Sequence, residues 1–269
     1  MHFSWDELNS SQAKVSALPK RLVRRTCGGL DGPSSAVPFP KARCFFLNIF
    51  DIMGPIMVGP SSSHTAGAAR IGRVARHLLG VQPSAVEILL HGSFAATGHG
   101  HGTDRALVAG LLDLAPDDPA LPLSFSLAER AGMAVTIRSV ELRGAHPNTA
   151  LLRMTHPDGH TLEVSASSLG GGRIRVNSID GMEASFSGEY PTLIVRNQDK
   201  PGIVSEVSYL LSTNQANIAT MQLYRDRRGG LAVMVIECDT PIPRRLVELL
   251  GKLDGIVRCA YLNLTEVDS

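Results

Sequence analysis

Three serines, a histidine and a threonine, Ser61-Ser62-Ser63-His64-Thr65, stand directly after a Gly59-Pro60 break and directly before a run of good helix formers from Ala66. A serine there can cap a helix by accepting from an amide that has no intrahelical partner, which places the helix start within Ser61 to His64. Ile71, Val74, Ala75 and Leu78 recur at the spacing of a buried stripe, with Arg70, Arg73, Arg76 and His77 off it and Gly80 at the left-handed stop position. The first turn of such a helix offers free N–H groups and the positive end of the helix dipole to a carboxylate or phosphate. Hydroxyls and one imidazole at that point could hold a small anion and move a proton. The spacing alone fits a plainer arrangement as well, in which one serine caps, the others are hydrated and His64 lies on the surface.

A second junction follows. Ala85–His91 reads as a strand ending at Gly92-Ser93, then Thr97-Gly98-His99-Gly100-His101-Gly102-Thr103-Asp104 reads as a loop, with a helix from Arg105 to Leu114 capped by Thr103 or Asp104. No Gly-Lys-Ser/Thr closes that loop, so it is not a phosphate-binding loop, and His99 and His101 lack a third ligand nearby for a metal.

The chain these elements belong to has 269 residues, 43% of them hydrophobic, enough to bury a core and to divide into two domains. Its net charge of +1 is uneven: residues 1–46 carry seven Lys/Arg against three Asp/Glu, and the remainder carries 19 against 22. The body is thus mildly acidic, without a global signal for nucleic acid or membrane. Cys27, Cys44, Cys238 and Cys259 are too far apart in sequence for a zinc or iron–sulfur ligand set, so no metal ligands are assigned in this chain. Few cysteines and no apolar run of spanning length lead to the expectation of a reduced, cytoplasmic setting. Residues 1–46, including the basic run Lys20–Arg25, show no sustained period and are expected to be disordered or an extension outside the natural product.

Downstream, a short helix over Ser126–Gly132 precedes strand-like runs at Ala134–Leu142, Ala150–Met154, Leu162–Ala166, Arg173–Val176 and Met182–Phe186, which suggests helices followed by an antiparallel sheet, an α+β arrangement. His146-Pro147-Asn148-Thr149 and Gly170-Gly171-Gly172 lie between strands as turns. After a boundary at Gly188–Pro191 the order becomes strand, helix, strand, strand, helix, strand: Thr192–Asn197, Gly202–Ser212, Ile218–Arg225, Leu231–Cys238, Arg244–Lys252 and Ile256–Leu264. This is the ferredoxin-like βαββαβ order, with Pro201 near the first helix start.

Residues 50–68, Phe50-Asp51-Ile52-Met53-Gly54-Pro55-Ile56-Met57-Val58-Gly59-Pro60-Ser61-Ser62-Ser63-His64-Thr65-Ala66-Gly67-Ala68, resemble the beta subunit of the bacterial iron–sulfur L-serine dehydratases almost throughout. Gly100-His101-Gly102-Thr103-Asp104, His146-Pro147-Asn148-Thr149 and the triple glycine resemble that family's later motifs in the same order. The last domain is similar to an ACT domain, a small regulatory amino-acid-binding module. The resemblance implies a serine dehydratase beta domain over 47–188 and an ACT domain over 189–269. It implies elimination of water and ammonia from L-serine to give pyruvate, with a [4Fe–4S] cluster whose cysteines lie on a separate alpha subunit. It further implies His64 as the base, His101 in support, Ser61, Ser62, Ser63 and Thr65 as substrate holders, and an amino-acid effector near Asn197, Asp199 and Gly202. A serine-sensing protein without catalysis, or a dehydratase of another hydroxy-amino acid such as threonine, stays open beside it.

Overall fold

The computed structural model describes residues 56–264, so the readings for residues 1–55 lie outside the described residues. The serine run behaves as its chemistry predicts. Ser61 is extended and caps the helix, its Oγ accepting from the His64 amide at 3.2 Å. The helix opens as a π-helical turn, Ser62–Gly67, and continues as α1, Ala68–Leu79, ended by Gly80 in the left-handed conformation. Ile71, Val74, Ala75 and Leu78 are buried as the stripe requires. The off-stripe cations are not simply solvated: Arg73 and His77 both reach Asp113 at 3.0 Å and tie α1 to the segment beyond it.

Next come β1 (Ala85–Leu90), α2 (Gly92–His101), α3 (Thr103–Leu111) and, after a short 3₁₀ turn, α4 (Ser124–Arg130). The glycine-and-histidine stretch is therefore helix on both sides of Gly102, not the loop the sequence suggests; Gly102 takes the N-cap position of α3, and Asp104 Oδ1 accepts from the Arg105 amide at 2.8 Å within the first turn. Helix wins in spite of the glycines because Phe94 is wholly buried in the core, and tertiary burial outweighs a propensity cost of about 1 kcal/mol per glycine. Gly102, at φ 70°, supplies the left-handed residue on which the chain turns from α2 into α3.

Strands β2 (Ala134–Ser139), β3 (Thr149–Thr155), β4 (Thr161–Gly170), β5 (Arg173–Ile179) and β6 (Met182–Phe186) join β1 in a six-stranded sheet of order β2-β1-β3-β4-β5-β6. All pairs are antiparallel except β1–β2, which run parallel because the three helices form a crossover between them. Helices α1 and α3 pack closely beside this sheet. A Cβ on Gly110 would lie 2.0 Å from the Ala69 carbonyl oxygen, and one on Gly72 would lie 2.3 Å from that of Leu107. Glycine at both positions is what lets the two backbones touch.

The second sheet holds β7 (Thr192–Gln198), β8 (Ile218–Arg225), β9 (Leu231–Cys238) and β10 (Ile256–Leu262) in the order β10-β7-β9-β8, fully antiparallel, with α5 (Ile203–Thr213) and α6 (Arg244–Leu250). This is the expected ferredoxin-like unit in an α+β chain. Pro201 precedes the Gly202 cap, one position earlier than the first helical turn. Leu193, Val195, Met234 and Ile236 face α5 and α6, whereas Ile194, Val233 and Val235 join the core that includes α1. Arg258 of β10 completes the contact by donating to the Leu79 carbonyl at 2.9 Å, where α1 leaves a C-terminal acceptor open.

Candidate active site

The π-helical turn brings His64 beneath the surface, 9% exposed, at the point where α2 crosses it. Residues one helical turn apart on α2, Ser93 and Thr97, meet its Nε2 at 3.2 and 3.0 Å. The Thr97 hydroxyl donates to the Ser93 carbonyl at 2.9 Å, so toward His64 its oxygen is an acceptor. The proton of the neutral ring then sits on Nε2, and the lone pair is on Nδ1, 3.4 Å from Ser61 Oγ. Phe94 and His101 complete the surroundings edge-on, with ring centroids 5.3 and 5.0 Å away. Burial, and then the neighbouring His101, hold the His64 pKa below the ordinary imidazole value, against an opposing hydrogen bond to the Ser93 backbone. A neutral imidazole with a fixed tautomer is the form that a general base needs.

The other segments singled out from the sequence converge on the same place. The Pro147 carbonyl accepts from the Ser93 amide at 2.8 Å and so caps α2, while the Asn148 carbonyl accepts from the Ser168 amide at 2.9 Å. Thr149 Oγ1 and Ser167 Oγ lie 2.7 Å apart, and Asn177 donates to the latter. At the triple glycine, the Gly171 amide donates to Ser62 Oγ at 3.3 Å. Gly67 is glycine for a steric reason, since its Cβ would lie 2.1 Å from Ser168 Oγ, a buried hydroxyl without a hydrogen-bond partner among the described residues.

Each side chain expected at the site can now be placed. Ser61 is the cap, whereas Ser62 and Ser63 are half-buried and face the glycine turn. Thr65 is buried and its hydroxyl donates to the His101 carbonyl at 3.4 Å. Thr65 and His101 line one side of a cavity of about 220 Å³ that Gly59, Pro60 and the exposed Arg105 close on the other. Ser93, Thr97, Phe94 and Ser168 were not picked out from sequence. Had Gly92–His101 been read as helix, the four-residue spacing of Ser93, Thr97 and His101 would have put all three on one face.

The expected effector residues lie in the second sheet unit, where the loop geometry differs. Asn197 is buried and donates to the Gln198 carbonyl at 2.7 Å. Asp199 accepts from the Gly229 amide at 2.9 Å and pairs with Arg225 at 3.3 Å, and its carboxyl is held below the usual range chiefly by that amide. Gly202 caps α5 at φ 97°.

The fold and site define a chain in which a histidine-bearing α/β unit leads into an ACT domain. A family model described as serine dehydratase beta chain matches residues 48–129, and one described as ACT domain matches residues 191–255. The probable L-serine dehydratase beta chain of Bacillus subtilis is 40% identical over 213 residues, 79% of this chain and 96% of that one. The L-serine dehydratase beta chain of Peptoniphilus asaccharolyticus is 38% identical over 80% of this chain and 97% of its own. The chain belongs to the serine dehydratase beta chain family. A D-3-phosphoglycerate dehydrogenase of Archaeoglobus fulgidus is also similar, 28% identical over 73% of this chain but only 37% of that protein.

The described cysteines do not suit an iron–sulfur cluster. Cys238 and Cys259 both belong to the second sheet, two thiols where a [4Fe–4S] cluster takes four. Among the described residues no helix is long and apolar enough to cross a membrane.

Proposed function

We propose that the chain is the beta subunit of a heteromeric L-serine dehydratase that forms pyruvate and ammonia, with the [4Fe–4S] cluster on a separate alpha subunit. The observation that carries this is the setting of His64: buried, its pKa held below the ordinary imidazole value, with Nε2 against Ser93 and Thr97 of α2 and Nδ1 facing Ser61 at the serine-lined helix start. The α-hydrogen of serine is weakly acidic and needs a positioned base, which is His64 Nδ1 in this reading. Ser61, Ser62, Ser63 and the first-turn amides hold the substrate carboxylate, which the positive end of the helix dipole favours. His101 packs edge-on against His64, and His101, Thr65 and Arg105 line a neighbouring cavity. The names of the two beta-chain relatives support this reading.

A second reading has its own support. Similarity over 73% of this chain to a protein named for a different reaction, a D-3-phosphoglycerate dehydrogenase, supports a serine-sensing role without catalysis as its competitor. Mixing this chain with the alpha chain and measuring pyruvate separates the two. The catalytic reading expects turnover of serine only in the mixture, with threonine slower. Serine binding by a mixture that forms no pyruvate would replace it with the sensing role.

A further inference from the structure

We propose that the turn joining β3 to β4 is a site for a divalent transition metal, with His156, Asp158 and His160 as its three protein ligands. Sequence alone points for metal ligands to the cysteines and to His99 and His101, not to this turn. The structure gives it a further property. His156 Nδ1 and His160 Nδ1 both point at Asp158 Oδ1, at 2.8 and 2.5 Å, and the three ligand atoms lie within 4.8 Å of one another.

The turn is rigid enough to hold them. Pro157 has its φ fixed by the ring, Gly159 takes φ 97°, and the His156 amide donates to the His160 carbonyl at 2.8 Å. The Asp158 side chain is aimed by the His160 amide, which reaches its Oδ1 at 3.1 Å.

Proton accounting shows why a cation suits the centre. The Asp158 amide donates to His156 Nδ1 at 3.1 Å, which requires a lone pair on that nitrogen. The same nitrogen faces the Asp158 carboxylate at 2.8 Å, where it would have to carry a proton. Both demands cannot be met by one neutral ring. The two imidazoles stack, with centroids 4.1 Å apart and planes at 21°, so the rings must turn for both Nδ1 lone pairs to meet at one ion. A metal ion between the three atoms would take the His156 Nδ1 lone pair in place of the Asp158 amide, with His160 Nδ1 and the Asp158 carboxylate as its other donors.

Two imidazoles and one carboxylate select borderline metals, Zn²⁺, Ni²⁺, Cu²⁺ or Co²⁺, over the all-oxygen preference of Mg²⁺ and Ca²⁺. Zinc bonds of about 2.0–2.2 Å in a tetrahedron would set the ligand atoms about 3.3 Å apart. The two nitrogen–oxygen separations, 2.8 and 2.5 Å, have to lengthen by less than about 1 Å to allow that, leaving the fourth position to water or to a group from another molecule. The hairpin pairs Thr155 with Thr161 beside the turn and Thr149 with Ser167 at its far end, next to the candidate active site. The metal therefore acts as a clip on the turn end of that hairpin, away from the candidate active site, and does not depend on the dehydratase reading.

Titration of the untagged full-length chain with Zn²⁺ alone, followed by calorimetry, tests the proposal. One equivalent should bind, His156→Ala and His160→Ala should each weaken it by at least about tenfold, and His64→Ala should leave it unchanged. Zinc should raise the unfolding temperature of the parent chain and not that of the His156→Ala/His160→Ala double variant. Co²⁺ in place of zinc should give visible absorption that the same two substitutions abolish. No binding at micromolar zinc, or equal binding in the double variant, overturns the site. Because the turn is exposed, circular dichroism of the variants should match the parent, and a parent-like spectrum with parent-like zinc affinity is equally fatal.

Discussion

The chain has two loop-to-helix junctions that sequence alone nominates as ligand sites, Ser61–Thr65 before α1 and Asn197–Gly202 before α5, and their polar groups are used in different ways. At the first, side chains from the π-helical turn and α2 converge on one imidazole, with β4 and the glycine turn packed on the helix start beside it, and that imidazole keeps a lone pair. At the second, the acidic group is already engaged: Asp199 holds the hairpin between β8 and β9 through the Gly229 amide and Arg225. A helix start thus gives only the possibility of binding. Whether it does chemistry depends on what the neighbouring elements leave unsatisfied.

The strongest way to break this contrast is to remove the imidazole. His64→Ala, assembled with a normal alpha chain and an intact cluster, should lose kcat by at least about 10², with a smaller change in serine binding. Near-normal kcat would refute the base assignment and move attention to His101. Next in size is the packing that positions the turn. Gly110→Ala would drive a methyl group against the Ala69 carbonyl, which a backbone atom cannot evade, and should cost about 1–3 kcal/mol in thermal or denaturant unfolding. An unchanged transition would show that α1 and α3 can separate freely.

Smaller effects sharpen the roles within the first junction. Ser61→Ala should cost about 0.5–2 kcal/mol of stability, because Ser61 is the cap, whereas Ser62→Ala should act mainly on KM. Equal stability losses in the two variants would erase that distinction. The pH dependence has a definite sign. The His64 pKa lies below 6.5, so the neutral base persists below that pH and the acid limb of kcat/KM for serine should fall lower than an ordinary imidazole would place it. His101→Asn removes one lowering influence and should move that limb upward, and a downward movement would contradict the pairing. For stability, the unfolded chain takes up this proton more readily than the folded one, so the His64 contribution is complete above pH 6.5 and is lost as pH falls below it.

Much of this was legible, for identifiable reasons. The α1 stripe, the Gly80 stop and the βαββαβ order follow from spacings that local rules read well, and the extended resemblance made His64 prominent. The α2 helix was hidden because Gly92, Gly98, Gly100 and Gly102 read as loop, while the buried Phe94 that stabilises it is a tertiary fact. Missing the helix also hid Ser93 and Thr97, which set the His64 tautomer. The parallel β1–β2 pair was hidden for a related reason, since a crossover is seen only once the helices between the strands are counted. The close approach of α1 and α3 left its mark in Gly72 and Gly110, but a single glycine in a helix does not say which neighbour requires it.

The smallest expected effect tests the other side of the comparison. In Asp199→Asn the carboxylate charge opposite Arg225 is lost, although an amide oxygen can still accept from Gly229 N–H. The pair is close to solvent and screened by salt, so the variant should lower the ACT-domain unfolding temperature slightly, and less at high ionic strength. Activity at saturating serine should be unchanged, because no residue of the first junction contacts this loop by any hydrogen bond or ion pair described above. If Asn197, Asp199 and Gly202 instead hold an amino-acid effector, Asp199→Asn should abolish the heat of serine binding to the His64→Ala chain and alter the cooperativity of the complex. That result would make the second junction a binding site in its own right, showing that Asp199 can exchange its turn contacts for a ligand. Unchanged heat and cooperativity would leave Asp199 as the residue that fastens the β8–β9 hairpin.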